Sequence, residues 1–220
     1  MKSLISFLLV IGTFTFSWAQ ECTTIWPYIY PEFKEGTLYM VGGKQFTAQF
    51  NIHVQESRLH YLSNGIIKET QSENIVLVKI GEDVFMSVDG KVMKVIGSEE
   101  RGFVATLILG DFAKLNNSSG AYGGSSNSSA IMKLSSIEVG GKTIVNHMEL
   151  KQKRDEGVPL PLKYQYYIVT KGKVYSATKK GIRSELSDSS AVEFKSFLKK
   201  NKIKWDNPQS LMTLLDFFNK

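Results

Sequence analysis

From about residue 37 onward, apolar side chains recur at every second position. The clearest run is Phe46-Thr47-Ala48-Gln49-Phe50-Asn51-Ile52-His53-Val54, apolar at even positions and polar at odd ones, the period of a strand with one wet face. Gly42-Gly43 separates it from Thr37-Leu38-Tyr39-Met40-Val41, and such a link supplies the positive φ angles of a tight hairpin. The same grammar repeats. Asn64-Gly65 follows Arg58-Leu59-His60-Tyr61-Leu62 and precedes Ile66-Ile67-Lys68, while Asp89-Gly90 joins Val84-Phe85-Met86-Ser87-Val88 to Lys91-Val92-Met93-Lys94-Val95-Ile96.

Asn74-Ile75-Val76-Leu77-Val78-Lys79-Ile80 and Phe103-Val104-Ala105-Thr106-Leu107-Ile108-Leu109 are more continuously apolar, as strands covered on both faces are. Further strand-like runs stand at Ser136-Ile137-Glu138-Val139, at Thr143-Ile144-Val145, and at Tyr164-Gln165-Tyr166-Tyr167-Ile168-Val169, which turns at Lys171-Gly172 into Lys173-Val174-Tyr175-Ser176-Ala177. Residues 116–130, almost all Ser, Asn and Gly, hold too little apolar surface to offset the entropy of ordering and read as a flexible loop.

The period changes near residue 188. Asp188 or Ser189 can cap a helix that gathers Val192, Phe194, Phe197 and Leu198, with Asn201 as a left-handed stop. Asn207-Pro208 opens a second helix with Leu211, Leu214, Leu215 and Phe218 at spacings of three and four. The pattern predicts a mainly β fold over residues 20–180, an antiparallel meander that is sandwich-like or a partly open barrel. A helical segment over 181–220, two short helices, packs on it or covers an edge.

The first residues change the compartment. A positive start at Lys2 is followed by an apolar run from Leu4 to Phe14 and by small residues at Ser17 and Ala19, so 1–19 read as a signal peptide with Gln20 first in the mature chain. The run is shorter than the roughly 20 residues of a spanning helix. The expected address is periplasmic, outer-membrane-associated or extracellular, with no transmembrane segment after cleavage. Cys22, the one cysteine, has no internal partner, and Ala19-Gln20-Glu21-Cys22 lacks the small residue before the cysteine that lipoprotein processing favours. Stability must come from burial, which 220 residues of ordinary globular composition can supply.

Candidate chemistry is sparse. His53, His60 and His147 come without His-Glu-x-x-His or Cys-x-x-Cys spacing, and the first two fall on polar strand phases, so exposed or hydrogen-bonded histidines are expected rather than metal ligands. Ser176-Ala177-Thr178-Lys179 has the spacing of a Ser-x-x-Lys nucleophile, but its serine ends a strand instead of opening a helix. Gly140-Gly141-Lys142-Thr143 ends like a phosphate loop, yet Ser136 stands where its first glycine belongs. The carboxylate pairs Glu99-Glu100 and Asp155-Glu156 sit in polar turns. No catalytic residue, cofactor or metal is expected. Tyr164 and Tyr166 share a strand face that could stack on sugars or bases, although aromatic residues in half-buried strands are usually core.

Charge is uneven. Residues 151–204 hold 14 Lys plus Arg against 5 Asp plus Glu, an excess of +9 in a chain of net +6. Its densest part is Lys195, Lys199, Lys200, Lys202 and Lys204, which either form a solvated face or attract anionic envelope components. No reading motif for nucleic acid accompanies them.

Three stretches resemble a group of secreted envelope proteins of Bacteroidota-type bacteria to which no activity is attached. They are Tyr30-Pro31-Glu32-Phe33-Lys34-Glu35-Gly36-Thr37, Tyr166-Tyr167-Ile168-Val169 with Gly172-Lys173-Val174-Tyr175, and Phe197-Leu198-Lys199-Lys200-Asn201-Lys202-Ile203 before Leu211-Met212-Thr213-Leu214-Leu215. The resemblance implies export and a β body with a helical tail. The expected function is a non-enzymatic envelope binding or scaffolding protein, an accessory to anionic components or another envelope protein. A small exported hydrolase with unrecognised catalytic residues is the alternative.

Overall fold

The computed structural model describes residues 27–111, 136–139, 142–145 and 160–219. The expected signal peptide, Cys22, His147 and the 116–130 loop lie outside them. Twelve strands are described: β1 (Lys34–Met40), β2 (Gln45–His53), β3 (Arg58–Ser63), β4 (Ile66–Glu69), β5 (Ile75–Ile80), β6 (Asp83–Val88), β7 (Lys91–Glu99), β8 (Gly102–Gly110), β9 (Ser136–Val139), β10 (Lys142–Val145), β11 (Leu162–Thr170) and β12 (Lys173–Ser176). Ten form one antiparallel sheet in the order β12-β11-β8-β7-β6-β5-β1-β2-β3-β4, and β9 pairs only with β10. The expected meander is therefore present as one open sheet that does not close into a barrel.

The turns follow from their residues. Asn64-Gly65, Asp89-Gly90 and Lys171-Gly172 carry positive φ at both positions, the primed-turn geometry whose twist matches that of the strands it joins. The sheet also bends. The β2–β3 connection reaches back across it, where Ser57 Oγ donates to the Val92 carbonyl at 2.6 Å, Val92 N donates to the Ser57 carbonyl, and Gly110 N donates to the Val54 carbonyl.

One row of facing residues crosses seven strands of the concave side: Phe46, Leu38, Val78, Phe85, Lys94, Thr106 and Tyr166. Its β1–β6 part is apolar and joins Phe50, Ile52 and Leu59 in a core that the bent sheet closes on itself. Beyond Thr106 a different cover takes over, made of helices.

Three helices, not two, end the described chain: α1 (Lys179–Ser184), α2 (Asp188–Lys200) and α3 (Pro208–Phe218). The Thr178 hydroxyl, the Ser187 hydroxyl and the Asn207 side chain cap them by accepting from Gly181 N, Ser190 N and Ser210 N. Asn201 is not left-handed as the sequence suggested; its φ is −115°. Its backbone and side-chain N–H groups both donate to the Phe197 carbonyl, so that carbonyl is satisfied without a left-handed turn. Phe194, Phe197, Leu211, Leu214, Leu215 and Phe218 bury the apolar stripes of α2 and α3 on Val104, Ile168 and Tyr175. At Gly97 a Cβ would stand 2.7 Å from Met212 Sδ, so the missing side chain lets α3 approach β7 at the bulge near residue 96.

Candidate functional site

The core under β1–β6 and the core under the helices are separate clusters. Between them lies a groove of about 890 Å³ whose floor is β6, β7, β8 and β11. One wall is the chain at Ile29 and Tyr30; the other is the start of α3 at Pro208 and Gln209. Asn51, fully buried in β2, fixes the first wall: its side chain accepts from Tyr30 N and donates to the carbonyls of Tyr30 and Glu32. Asn207, Pro208 and the close approach at Gly97 fix the second.

A polar cluster stands in the groove. Asp83, at the start of β6, accepts a 2.5 Å hydrogen bond from the Tyr30 hydroxyl and pairs with Lys94 Nζ at 2.7 Å. Burial pushes its carboxyl up, but the hydrogen bonds from Lys94 and Tyr30 and the charges of Lys94 and Lys34 outweigh that and hold it below the ordinary carboxylate value. Burial, then the bond to Asp83, drives the Tyr30 hydroxyl in the opposite direction, so it stays a donor. Next to this cluster is Thr106 in β8, between Lys94 on one neighbouring strand and Tyr166 on the other. Its hydroxyl is buried and makes no hydrogen bond among the described residues. Lys94 follows Val92 on the apolar phase of its strand and Thr106 falls between Val104 and Ile108. That misplacement was the one sequence signal that could have exposed them.

Tyr164 and Tyr166 extend the floor along β11 toward a second concavity of about 480 Å³, which Trp205 and Asp206 also line. Burial, then the nearby Asp206 charge, raises the Tyr166 hydroxyl, which keeps its proton. Tyr164 is 38% exposed. The sequence favoured core for both: Tyr166 does pack against the helical core while lining the cleft, whereas Tyr164 lines the cleft and is exposed. Chemically, the groove offers aromatic faces, neutral hydroxyls, an ion pair already closed on itself and the exposed Glu82 carboxylate.

The five lysines expected to meet anionic partners are all exposed. Lys195, Lys199 and Lys200 lie on α2, and Lys202 and Lys204 on the connection to α3. Val192, 67% exposed, stands among those on the helix. None of the five lines the groove, but Trp205, which follows Lys204, reaches its second concavity.

His53 and His60, on the polar phase of their strands, are nevertheless buried, each 6% exposed. The chain before β1 covers that convex patch. Tyr28 bridges His53 in the backbone and lies edge-on to both imidazoles, which stack 5.1 Å apart. Tyr28 Oη bonds to His60 Nδ1 at 2.8 Å and Glu69 meets His60 Nε2 at 3.2 Å. Among the described residues no cluster of three or more His, Cys, Asp or Glu could hold a metal ion. No helix among them is long and apolar enough to cross a membrane. Ser176 ends β12 and Lys179 opens α1, so they do not share the first turn of a helix as a Ser-x-x-Lys pair would. Comparison with protein-family models, with curated proteins and with solved structures finds no match to this chain.

Proposed function

We propose that this chain is an exported, non-enzymatic binding protein of the cell envelope that holds its ligand in the groove between the Tyr30 segment and α3. One observation carries the reading. Asp83, the carboxylate nearest Thr106 in the row of facing strands, is committed to Lys94 and Tyr30, and among the described residues no base is bonded to the Thr106 hydroxyl. A hydrolase would need a base within hydrogen-bond reach of its nucleophile. The lack of such a pair at Thr106 among the described residues supports recognition rather than reaction.

Native mass spectrometry of the mature protein after exposure to a bacterial envelope extract tests this. The expected result is a retained small-molecule adduct, weakened in the rim variant Tyr164→Ala and released with its mass unchanged. Absence of any adduct, or retention equal in the variant, defeats the reading; a ligand released with altered mass revives the hydrolase.

The exposed lysines around Val192 favour a second, compatible reading, in which this ridge rests on an anionic surface. Each lysine near such a surface contributes about 1 kcal/mol. Sedimentation with vesicles rich in anionic phospholipid should fall with salt and disappear when Lys199, Lys200, Lys202 and Lys204 are all changed to Glu. Unchanged sedimentation of that variant retires the ridge.

A further inference from the structure

We infer that the ligand of this groove is a neutral, hydroxyl-rich ring compound, an oligosaccharide, lying across Tyr164 and Tyr166 with one hydroxyl on Thr106. The inference rests on reading the groove as a binding site, and it adds the chemical class.

The geometry of β11 supplies the first argument. Tyr164 and Tyr166 are two residues apart on one strand, so they share a face about 7 Å from one another. They face Ile108 and Thr106 of β8 across the ladder. Two aromatic surfaces at that spacing, continued by Trp205 in the adjoining concavity, suit a chain of rings better than a single compact molecule. The faces of sugar rings carry C–H groups that pack on aromatic planes, while their rims carry hydroxyls.

Thr106 supplies the second argument. The residue is 5% exposed and lines the groove, and its buried hydroxyl has no partner among the described residues. Buried hydroxyls are almost always satisfied, so an orphan at the base of a cleft asks for a ligand group that can both give and take a hydrogen bond. A sugar hydroxyl does both. Gln209 and Ser98 line the same groove and add neutral polar groups.

Charge and backbone exclude the competitors. Among the lining residues, Asp83 and Lys94 neutralise each other and Glu82 is left exposed, so the groove offers no net positive charge to a phosphate or carboxylate. An acyl chain would cover Thr106 and leave it unpaired. A peptide needs main-chain partners, but the floor is the face of a sheet whose N–H and C=O groups are spent in the ladder.

Calorimetric titration of the mature protein tests the class, using neutral oligosaccharides of several linkages beside a medium-chain fatty acid and an uncharged tetrapeptide. At least one oligosaccharide should bind, more tightly than its monosaccharide. Tyr166→Ala should weaken it about three- to tenfold. The near-isosteric Thr106→Val should weaken it about three- to tenfold, and Thr106→Ser should restore it. Circular dichroism of each variant separates these effects from misfolding. Full-strength binding by Thr106→Val overturns the inference. Binding of the fatty acid or peptide instead, or an extract adduct whose fragments are not sugars, also overturns it but leaves the binding reading intact. Failure of every ligand together with the absence of an extract adduct removes both.

Discussion

Tyr28 and Tyr30 are two residues apart in one short segment, yet they serve opposite sides of the sheet and opposite purposes. Tyr28 faces the convex side, where it seals His53 and His60. Tyr30 faces the concave side, where it stands edge-on to Phe85 and bonds to Asp83 at the groove wall. Each hydroxyl meets a titratable group, and each is pushed up, first by burial. The difference is what surrounds the pair. The convex cluster is closed by protein, with Glu69 on the far nitrogen of His60; the concave one borders the groove that Tyr164 and Tyr166 also line. Equivalent chemistry is structural where it is enclosed and available for recognition where the covering elements stop.

Truncating the two tyrosines breaks or upholds that comparison most directly. Tyr28 is fully buried, so Tyr28→Ala should cost about 3–5 kcal/mol in denaturant unfolding. Tyr30→Ala should cost less, about 2–3 kcal/mol, because its void opens into the groove and water can enter it. Removing only the hydroxyls sharpens the contrast. Tyr28→Phe leaves buried His60 Nδ1 without that bond and should cost about 1–3 kcal/mol, whereas Tyr30→Phe leaves Asp83 bonded to Lys94 and should cost under about 1 kcal/mol. Equal losses at the two positions would mean that the concave cluster is as enclosed as the convex one.

The same contrast explains what could be read in the sequence. Strands and turns were legible because each is set locally: alternation such as Phe46 to Val54 decides the faces, and Asn64-Gly65 or Asp89-Gly90 decides the corner. The Asn207-Pro208 helix start was legible for the same reason. The third helix escaped because Lys179–Ser184 is six residues long and contributes one buried residue, Ile182, too few to set a period. The histidines were expected to be exposed or hydrogen-bonded; His60 is hydrogen-bonded, and the burial of both escaped because their cover, Tyr28, is remote in sequence and no alternation announces it. The groove was hidden most deeply. Its floor is assembled from Asp83, Lys94, Thr106 and Tyr166, whose meeting is fixed by the register of β6, β7, β8 and β11, while its existence depends on where α3 ends its cover.

Acid should resolve the two clusters in separate steps. His60 titrates below its ordinary value of 6.5, because burial disfavours its charged form more than the Glu69 hydrogen bond and charge favour it. In the range beneath 6.5 the unfolded chain therefore binds a proton that the folded chain resists, so this part of the stability is complete above 6.5 and is lost as the pH falls through that value. Asp83 is also lowered, from 3.8, and its contribution persists to much more acid conditions, disappearing only as the pH drops from 3.8 toward the folded value. Unfolding measured from pH 8 to pH 3 should show a first decline that His60→Gln reduces and a later one that Asp83→Asn reduces, each variant leaving the other step in place. If Asp83→Asn removes the earlier decline, the two clusters are coupled through the Tyr28–Tyr30 segment, and the enclosed and open sides of the sheet are a single electrostatic unit.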